Sequence, residues 1–387
     1  MVGWRSGTAQ DTVTLTLFPT PRLRKSPFYA ATRRYGCDAF SVYNHMLMPV
    51  WYGDPEEEFW RLIEHVTLWD VACERQVEIT GPDAARFVQL LTPRNLDTCT
   101  VGKCRYVILT AEDGGIINDP VLLRLGENHF WLSLADSDVL LWAKGVALNA
   151  DMDVMIVEPD VSPLQVQGPK SNATMAALFG ERINDMAYYT LLETTLDNIP
   201  IVISRTGWSG EKGYEIFLRD GQYGDALWER VMEAGKAFNI GPACPSQIRR
   251  IEAGILAYGT DMTLTTNPFE IGMDRLVDVE QETDFIGKAA LRKIKAEGID
   301  RLLTGVEIEG DKVANEEHWP LFADGRRIGE VTSCVYSPRL EKNIGLAMVE
   351  RGLAAPGRQL TVKAPHADLT AHTAVMPFFD PNKELPR

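Results

Sequence analysis

The sequence predicts an α+β fold that ends in a small β-barrel. Through the first three-quarters of the 387 residues, strand-like and helix-like runs alternate irregularly, which favours antiparallel pairing over a doubly wound sheet. After residue 300 the helical runs give way to LLTGVEIEG, RIGEVTSCVYS, NIGLAMVE, QLTVKA and LTAHTAVM, short strands broken by Gly, Pro and Asp-Gly turns. Length agrees, because a chain of this size divides into two or three domains of roughly 150 residues. The expected organisation is an arm over 1–35, α+β domains over 36–150 and 151–290, and the barrel over 300–387.

Residues 1–35 read as a basic, irregular arm, with Pro19, Pro21 and Pro27 beside Arg22, Arg24, Lys25, Arg33 and Arg34. Such an arm either frays or wraps the body. From Asp54, DPEEEFWRLIEHVTLWDV sets Phe59, Ile63 and Val66, with Leu62 and Trp69 as further candidates, at helical spacing behind an acidic start suited to a helix N-terminus. QVEIT (76–80) alternates as a strand, and GPDAARFVQLLT (81–92) follows as a helix with Pro82 at its first position. Further strands are expected over 105–110, 121–125, 129–134, 199–206 and 214–218, and helices near 137–149, 171–179, 222–238 and 246–257.

Composition narrows the function. Lys and Arg number 39 against 54 Asp and Glu, a net charge of −15 that repels phosphate backbones and anionic membranes, so a nucleic-acid partner is not expected. No apolar run approaches the ~20 residues that span a bilayer. The N-terminus lacks a signal-peptide pattern, and a cytoplasmic location with no membrane partner is expected. The six cysteines form no C-x-x-C pair and the six histidines show no metal-ligand spacing, so neither a disulfide framework nor a metal site is expected. P-loop, dinucleotide, H-E-x-x-H and G-x-S-x-G fingerprints are all missing.

Two constellations carry chemistry. In EDGGIINDP (112–120) a glycine turn leads to Asp119 just ahead of a strand, flanked by Ile116 and Ile117. A carboxylate held partly desolvated there acts strongly on a cationic or protonating nitrogen, although it also suits a plain turn cap. In RTGWSGEKGYEIF (205–217), three glycines at spacing three sit among Trp208, Tyr214, Glu211 and Glu215. Glycines admit a flat ligand, aromatics offer a stacking face, and a carboxylate accepts paired N–H bonds from an aminopyrimidine. An ordinary hairpin with surface charges fits the same pattern.

These segments resemble the folate-dependent aminomethyltransferase family of the glycine cleavage T-protein. DGGIINDP is similar to that family's G-G-x-x-x-D element, RTGWSGEKGYEI to its R-T-G-Y-T-G-E-x-G-x-E-I loop, and RRIEAGILAYGTDM to its L-R-L-E-A-G helix. LWDVACERQVEITGPDAARFVQLL, DFIGKAAL and IGEVTSCVYSPRLEKNIGLAMVE match further family segments, so the likeness runs from about 40 to 380. The resemblance implies a three-domain ring around a tetrahydrofolate site. By matching positions it implies Asp119 as the catalytic carboxylate, Glu211 and Glu215 on the pterin, Trp208 and Tyr214 as aromatic walls of the folate pocket, and Arg250 and Tyr258 on the helix beside it.

The chain departs from the T-protein pattern where Ala72-Cys73-Glu74-Arg75-Gln76 replaces Ser-His-Met and N-D-P replaces D-D-L, which speaks against a lipoyl carrier partner. Those segments, with SVYNHMLMP, LTPRNL and GWS, resemble the dimethylsulfoniopropionate demethylase branch. The implied reaction moves one methyl group from a sulfonium to folate N5, giving methylmercaptopropionate and 5-methyltetrahydrofolate, with Tyr43 and Ser133 near the methyl donor. A sulfonium leaves as a neutral thioether, so alignment and exclusion of water carry most of the catalysis. Tyr43, Trp51, Tyr52 or Trp208 could hold the cation by ring attraction. Three alternatives stay open: another donor such as a betaine, a glycine cleavage aminomethyltransferase, and a folate-binding protein without catalysis.

Overall fold

The computed structural model describes residues 20–387; the first part of the basic arm, Pro19 included, lies outside them. From residue 20 the arm is pinned to the body. The Leu47 N–H donates to the Arg24 carbonyl and the Arg24 N–H to the His45 carbonyl, both at 2.9 Å, and the Arg24 guanidinium pairs with Glu158. Tyr29–Arg34 is a helix, where an irregular segment was expected, and its last residue pairs with Asp225 and Glu229.

The arm leads into a hairpin, Ala39–Tyr43 with Met46–Trp51. Its two-residue turn holds Asn44 at φ 48° and His45 at φ 61°, the left-handed pair that a tight hairpin turn needs. Asn44 is anchored from both sides: its Nδ2 donates to the Cys73 and Ala135 carbonyls at 3.0 Å.

A six-stranded sheet runs in the order Leu191–Leu196, Ile199–Ser204, Gly213–Leu218, Ser162–Gln167, Val66–Asp70, Ile240–Pro242, with only the last pair parallel. A second, antiparallel sheet runs Met155–Val157, Gln76–Thr80, His129–Ser133, Val121–Gly126, Cys104–Tyr106. Leu68, Leu164, Val166, Ile203, Ile216 and Leu218 bury one face of the first sheet with Leu227, Trp228 and Val231 of the helix Gly224–Gly235. Each such side chain contributes about 1.5–3 kcal/mol relative to exposure. The closed C-terminal barrel orders its strands Arg301–Ile308, Lys342–Glu350, Arg326–Ser337, Trp319–Ala323, Gln359–Lys363 and Asp368–Ala374, the last returning to the first.

Local expectations fail where burial overrides periodicity. The helix from Asp54 ends at Glu64, and Val66–Asp70 is a strand with all five residues buried. A strand covered on both faces reads as a continuous apolar run, and the preceding helical spacing extends into it by accident. Pro82 is not the first helical residue: Gly81–Asp83 turns against the Asp153 backbone, and the helix starts at Ala84. The run 105–110 splits because the Val107 N–H donates to the Pro120 carbonyl at 3.0 Å. The helix expected to 257 stops at Glu252, ended by Gly254 at φ 61°.

That short helix, Gln247–Glu252, joins the barrel to the body. Arg250 donates to Asp261 and to Ser333 at 2.8 Å each, and Ser333 donates to the other Asp261 oxygen at 2.7 Å. Glu252 accepts from Ser337 at 2.6 Å and pairs with Arg339. Ser333→Ala removes two of these buried bonds and should cost about 1–2 kcal/mol of unfolding free energy, measurable by urea titration. An unchanged midpoint and slope would show that the network does not bind the barrel.

Candidate functional site

The site is built where the two sheets exchange the chain. Val66–Asp70 belongs to the six-stranded sheet and Gln76–Thr80 to the other; the single turn Ala72–Glu74 carries the backbone across. On the first sheet, register sets Ser204, Glu215, Gln165 and Trp69 in one row across neighbouring strands, hence on one face. On the second, Gln76 pairs with Ser133. Glu74 projects between the rows and joins them. Its Oε2 accepts from the Ser133 hydroxyl at 3.0 Å and its Oε1 from the Gln165 amide at 3.2 Å, and the same amide donates to Glu215 Oε1 at 2.6 Å.

Glu215 is 3% exposed and accepts also from the hydroxyls of Ser204 (3.3 Å) and Thr206. Burial raises its pKa while these bonds pull it down. Burial and the neighbouring charges of Glu215 and Asp119 push Glu74 well above the usual carboxylate range. Asp119 lies between the strands Ile116–Asn118 and Val121–Gly126. Its Oδ2 accepts from Tyr106 Oη at 2.8 Å, its Oδ1 is buried without a partner, and burial lifts its pKa to about 7. Asn118 fastens this turn by donating to the Ala135 carbonyl (3.0 Å) and the Ser137 hydroxyl (2.8 Å).

Among the described residues no basic side chain balances these acids. Among the described residues, Glu74, Asp119 and Glu215 make no ion pair, and Arg75, next in sequence to Glu74, turns to Glu158 at a separate cleft of about 400 Å³ lined by Arg24, Met46, Ala72, Arg75 and Ser162. Acceptors remain unanswered as well: Gln76 and Gln165, each 1% exposed, both have a buried Oε1 without a donor. Buried acceptors without donors, set among acids without a basic partner, complement a ligand that brings N–H donors or positive charge.

The other sequence-predicted residues divide. Tyr43 is raised well above its usual pKa by burial and then by Cys73, Asp119 and Glu74, which places it at the cluster, as hydrogen bonding places Ser133. Trp208 is half-buried with the Arg250 guanidinium 5.8 Å from its ring centre. Tyr258 lies beyond the helix on which it was expected; its hydroxyl donates to the Ile116 carbonyl at 3.1 Å, and burial followed by the Asp119 charge lifts it to about 12. Two residues are not brought to the cluster. Glu211 pairs with the buried Arg249 at 2.6 Å, and Tyr214 faces the opposite side of its strand, donating to Asn172 at 3.0 Å beneath Arg205. Tyr52 belongs to the Glu58 side, its N–H donating to that carboxylate at 3.1 Å.

The glycine spacing has a different cause from the one expected. A Cβ at Gly207 or Gly213 would lie 2.3 Å from the Gln167 amide, so these glycines make room for that buried side chain and not for a ligand. Gln167 in turn accepts from Ser209 at 2.6 Å and shapes the loop. Residues the sequence reading passed over are Glu74, Gln165, Gln76, Tyr106 and Thr206. Glu74 and Gln76 left a signal as members of the altered Ala72–Gln76 run, and Thr206 as a member of the 205–217 segment, whereas Gln165 and Tyr106 left none.

Comparison with known proteins accords with this construction. The GCVT N-terminal domain model matches residues 28–281 and the glycine cleavage T-protein C-terminal barrel domain model matches 301–380. The chain therefore belongs to the glycine cleavage T-protein family, and it is an enzyme of the transferase class. It is 40% identical over 350 residues to the dimethylsulfoniopropionate demethylase DmdA of Ruegeria pomeroyi, covering 90% of this chain and 96% of that one. It is 29% identical over 367 residues to an aminomethyltransferase of Bacillus cereus, covering 93% and 99%. The crystal structure of aminomethyltransferase T of the glycine cleavage system from Bartonella henselae superposes with a TM-score of 0.84 at 23% identity, covering 93% and 99%, which establishes the three-part fold with its terminal barrel. Among the described residues no helix is long and apolar enough to cross a membrane.

Proposed function

We propose that this enzyme transfers a methyl group from dimethylsulfoniopropionate to N5 of tetrahydrofolate, in the cytoplasm and without a lipoyl carrier. The observation that carries the reading is the acid cluster without counter-charge. Glu74, Asp119 and Glu215 share one buried site with unanswered acceptors, which suits a donor-rich pterin together with a cationic methyl carrier. The 40% identity to a protein named for that demethylation supports the same substrate.

The residues fit a bound folate. A carboxylate offers about four lone-pair sites, and Glu215 uses three on Ser204, Thr206 and Gln165, leaving one on the Gln165 side for an N–H of the pteridine. Trp208, steadied by Arg250, offers a flat wall, and Tyr258 closes the side toward Asp119. Folate supplies the nucleophilic amine. Asp119, with one oxygen fixed by Tyr106, keeps its second oxygen free to hold the amine's proton or the positive charge that develops as the methyl group moves. Tyr43 and Ser133 line the donor side beside Glu74.

The test is direct. The purified protein incubated with tetrahydrofolate and dimethylsulfoniopropionate should yield methylmercaptopropionate and 5-methyltetrahydrofolate in equal amounts by mass spectrometry, and glycine betaine in a parallel tube should react at least about tenfold more slowly. Faster methylation from betaine would reassign the donor, and absence of methylated folate with either would refute the reading.

A further inference from the structure

We infer that Glu74 is the specificity-determining residue that makes this site prefer the sulfonium group of the methyl donor to the neutral thioether group it becomes, the carboxylate being common to both. The inference rests on the methyl-transfer reading above and adds to it the side chain that recognises charge.

Four observations lead to it. Glu74 sits on the one turn that connects the two sheets, so strands of both place donors on its two oxygens, Ser133 on one and Gln165 on the other. Each of these donors is neutral, and among the described residues no cation pairs with it; the nearest basic residue in sequence, Arg75, is held by Glu158. Next to it the Gln76 amide gives its N–H to Ser133 at 3.0 Å while its Oε1, buried on a residue 1% exposed, meets no donor. The Gln165 amide is in the same state, its N–H groups spent on Glu74 and Glu215 and its Oε1 unanswered.

The Glu74 carboxyl and two unanswered amide oxygens therefore lie together with no cation paired to them among the described residues, and burial beside Glu215 and Asp119 makes ionising Glu74 costly until a positive group arrives. Glu215 has three donors, Gln165, Ser204 and Thr206, and about one site left, whereas Glu74 has only two donors for its about four lone-pair sites. Binding a sulfonium relieves this imbalance. Once the methyl group has left, the remaining thioether is neutral and the attraction is gone, so the same side chain that selects the donor favours release of the demethylated product.

The experiment compares dissociation constants for dimethylsulfoniopropionate and methylmercaptopropionate by calorimetry, using the full chain, its Glu74→Gln variant, which keeps shape and loses charge, and Glu74→Asp, which keeps charge. The wild-type preference for the sulfonium should fall at least about tenfold in Glu74→Gln and stay within about threefold in Glu74→Asp, with tetrahydrofolate affinity held within about twofold in both. Circular dichroism checks that both variants fold. Glu74→Gln with the wild-type preference, or weakening both ligands by one common factor, overturns the inference, as does loss of the preference in Glu74→Asp as well. Failure of the methyl-transfer reading shows instead in the wild type, as absence of methylated folate.

Discussion

Asp119→Asn should cut turnover at least about tenfold, or about 1.4 kcal/mol of barrier, while tetrahydrofolate binds as before. The Asn amide can still accept from Tyr106, so the local geometry is kept and only the charge at Oδ1 is lost. Because the Asp119 pKa is lifted to about 7, the wild-type kcat/KM should rise with pH through that value, and this limb should vanish in the variant. Stability moves the other way. A buried acid whose pKa is raised from 3.8 to about 7 stabilises the fold at low pH and progressively loses that contribution as pH rises through the interval. At pH 8 the neutral variant is therefore expected to melt no lower than wild type. A variant with wild-type turnover, or one that keeps the acid limb, would remove Asp119 from the chemistry.

Glu215→Gln should weaken tetrahydrofolate binding by roughly ten- to a hundredfold, the loss of one hydrogen bond to a charged acceptor, about 1.5–3 kcal/mol. With the amide nitrogen on the Ser204 and Thr206 side, their hydroxyls can turn to accept from it and the oxygen still accepts from Gln165, so the packing is kept and the charge is lost. Glu211→Gln provides the contrast. Glu211 carries the same residue type in the same loop but is engaged with Arg249, and its loss is expected to lower stability with little change in folate affinity. Titrating both variants with folate by intrinsic fluorescence separates the two roles; equal affinities for Glu215→Gln and wild type would move the pterin elsewhere.

Most of what local pattern can carry was legible. QVEIT is a strand, 171–179 is a helix, and the short alternating runs after 300 close a barrel, since each depends on neighbours two to four positions away. The place of Asp119 just ahead of a strand was legible too, because the Gly-Gly turn before it and the strand after it are local. Val66–Asp70 was not, since burial on both faces erases the period that separates strand from helix. The hairpin at Asn44-His45 was missed for lack of glycine, although both residues adopt positive φ.

In the binding loop, residue types were readable and their directions were not. Glu211, Tyr214 and Glu215 are equally plausible ligands in one dimension, yet strand alternation turns Tyr214 to the opposite face and the buried Arg249 captures Glu211. By itself the sequence determined the class of fold, the family likeness and the identity of the acidic residue at the Gly-Gly turn. Only the tertiary structure decided that Glu74 and Glu215 share the amide of Gln165, some ninety positions from the one and fifty from the other. The reason is that strand register and the passage of the chain from one sheet to the other set those distances, and burial, which raises the acids, is a property of the whole packed molecule.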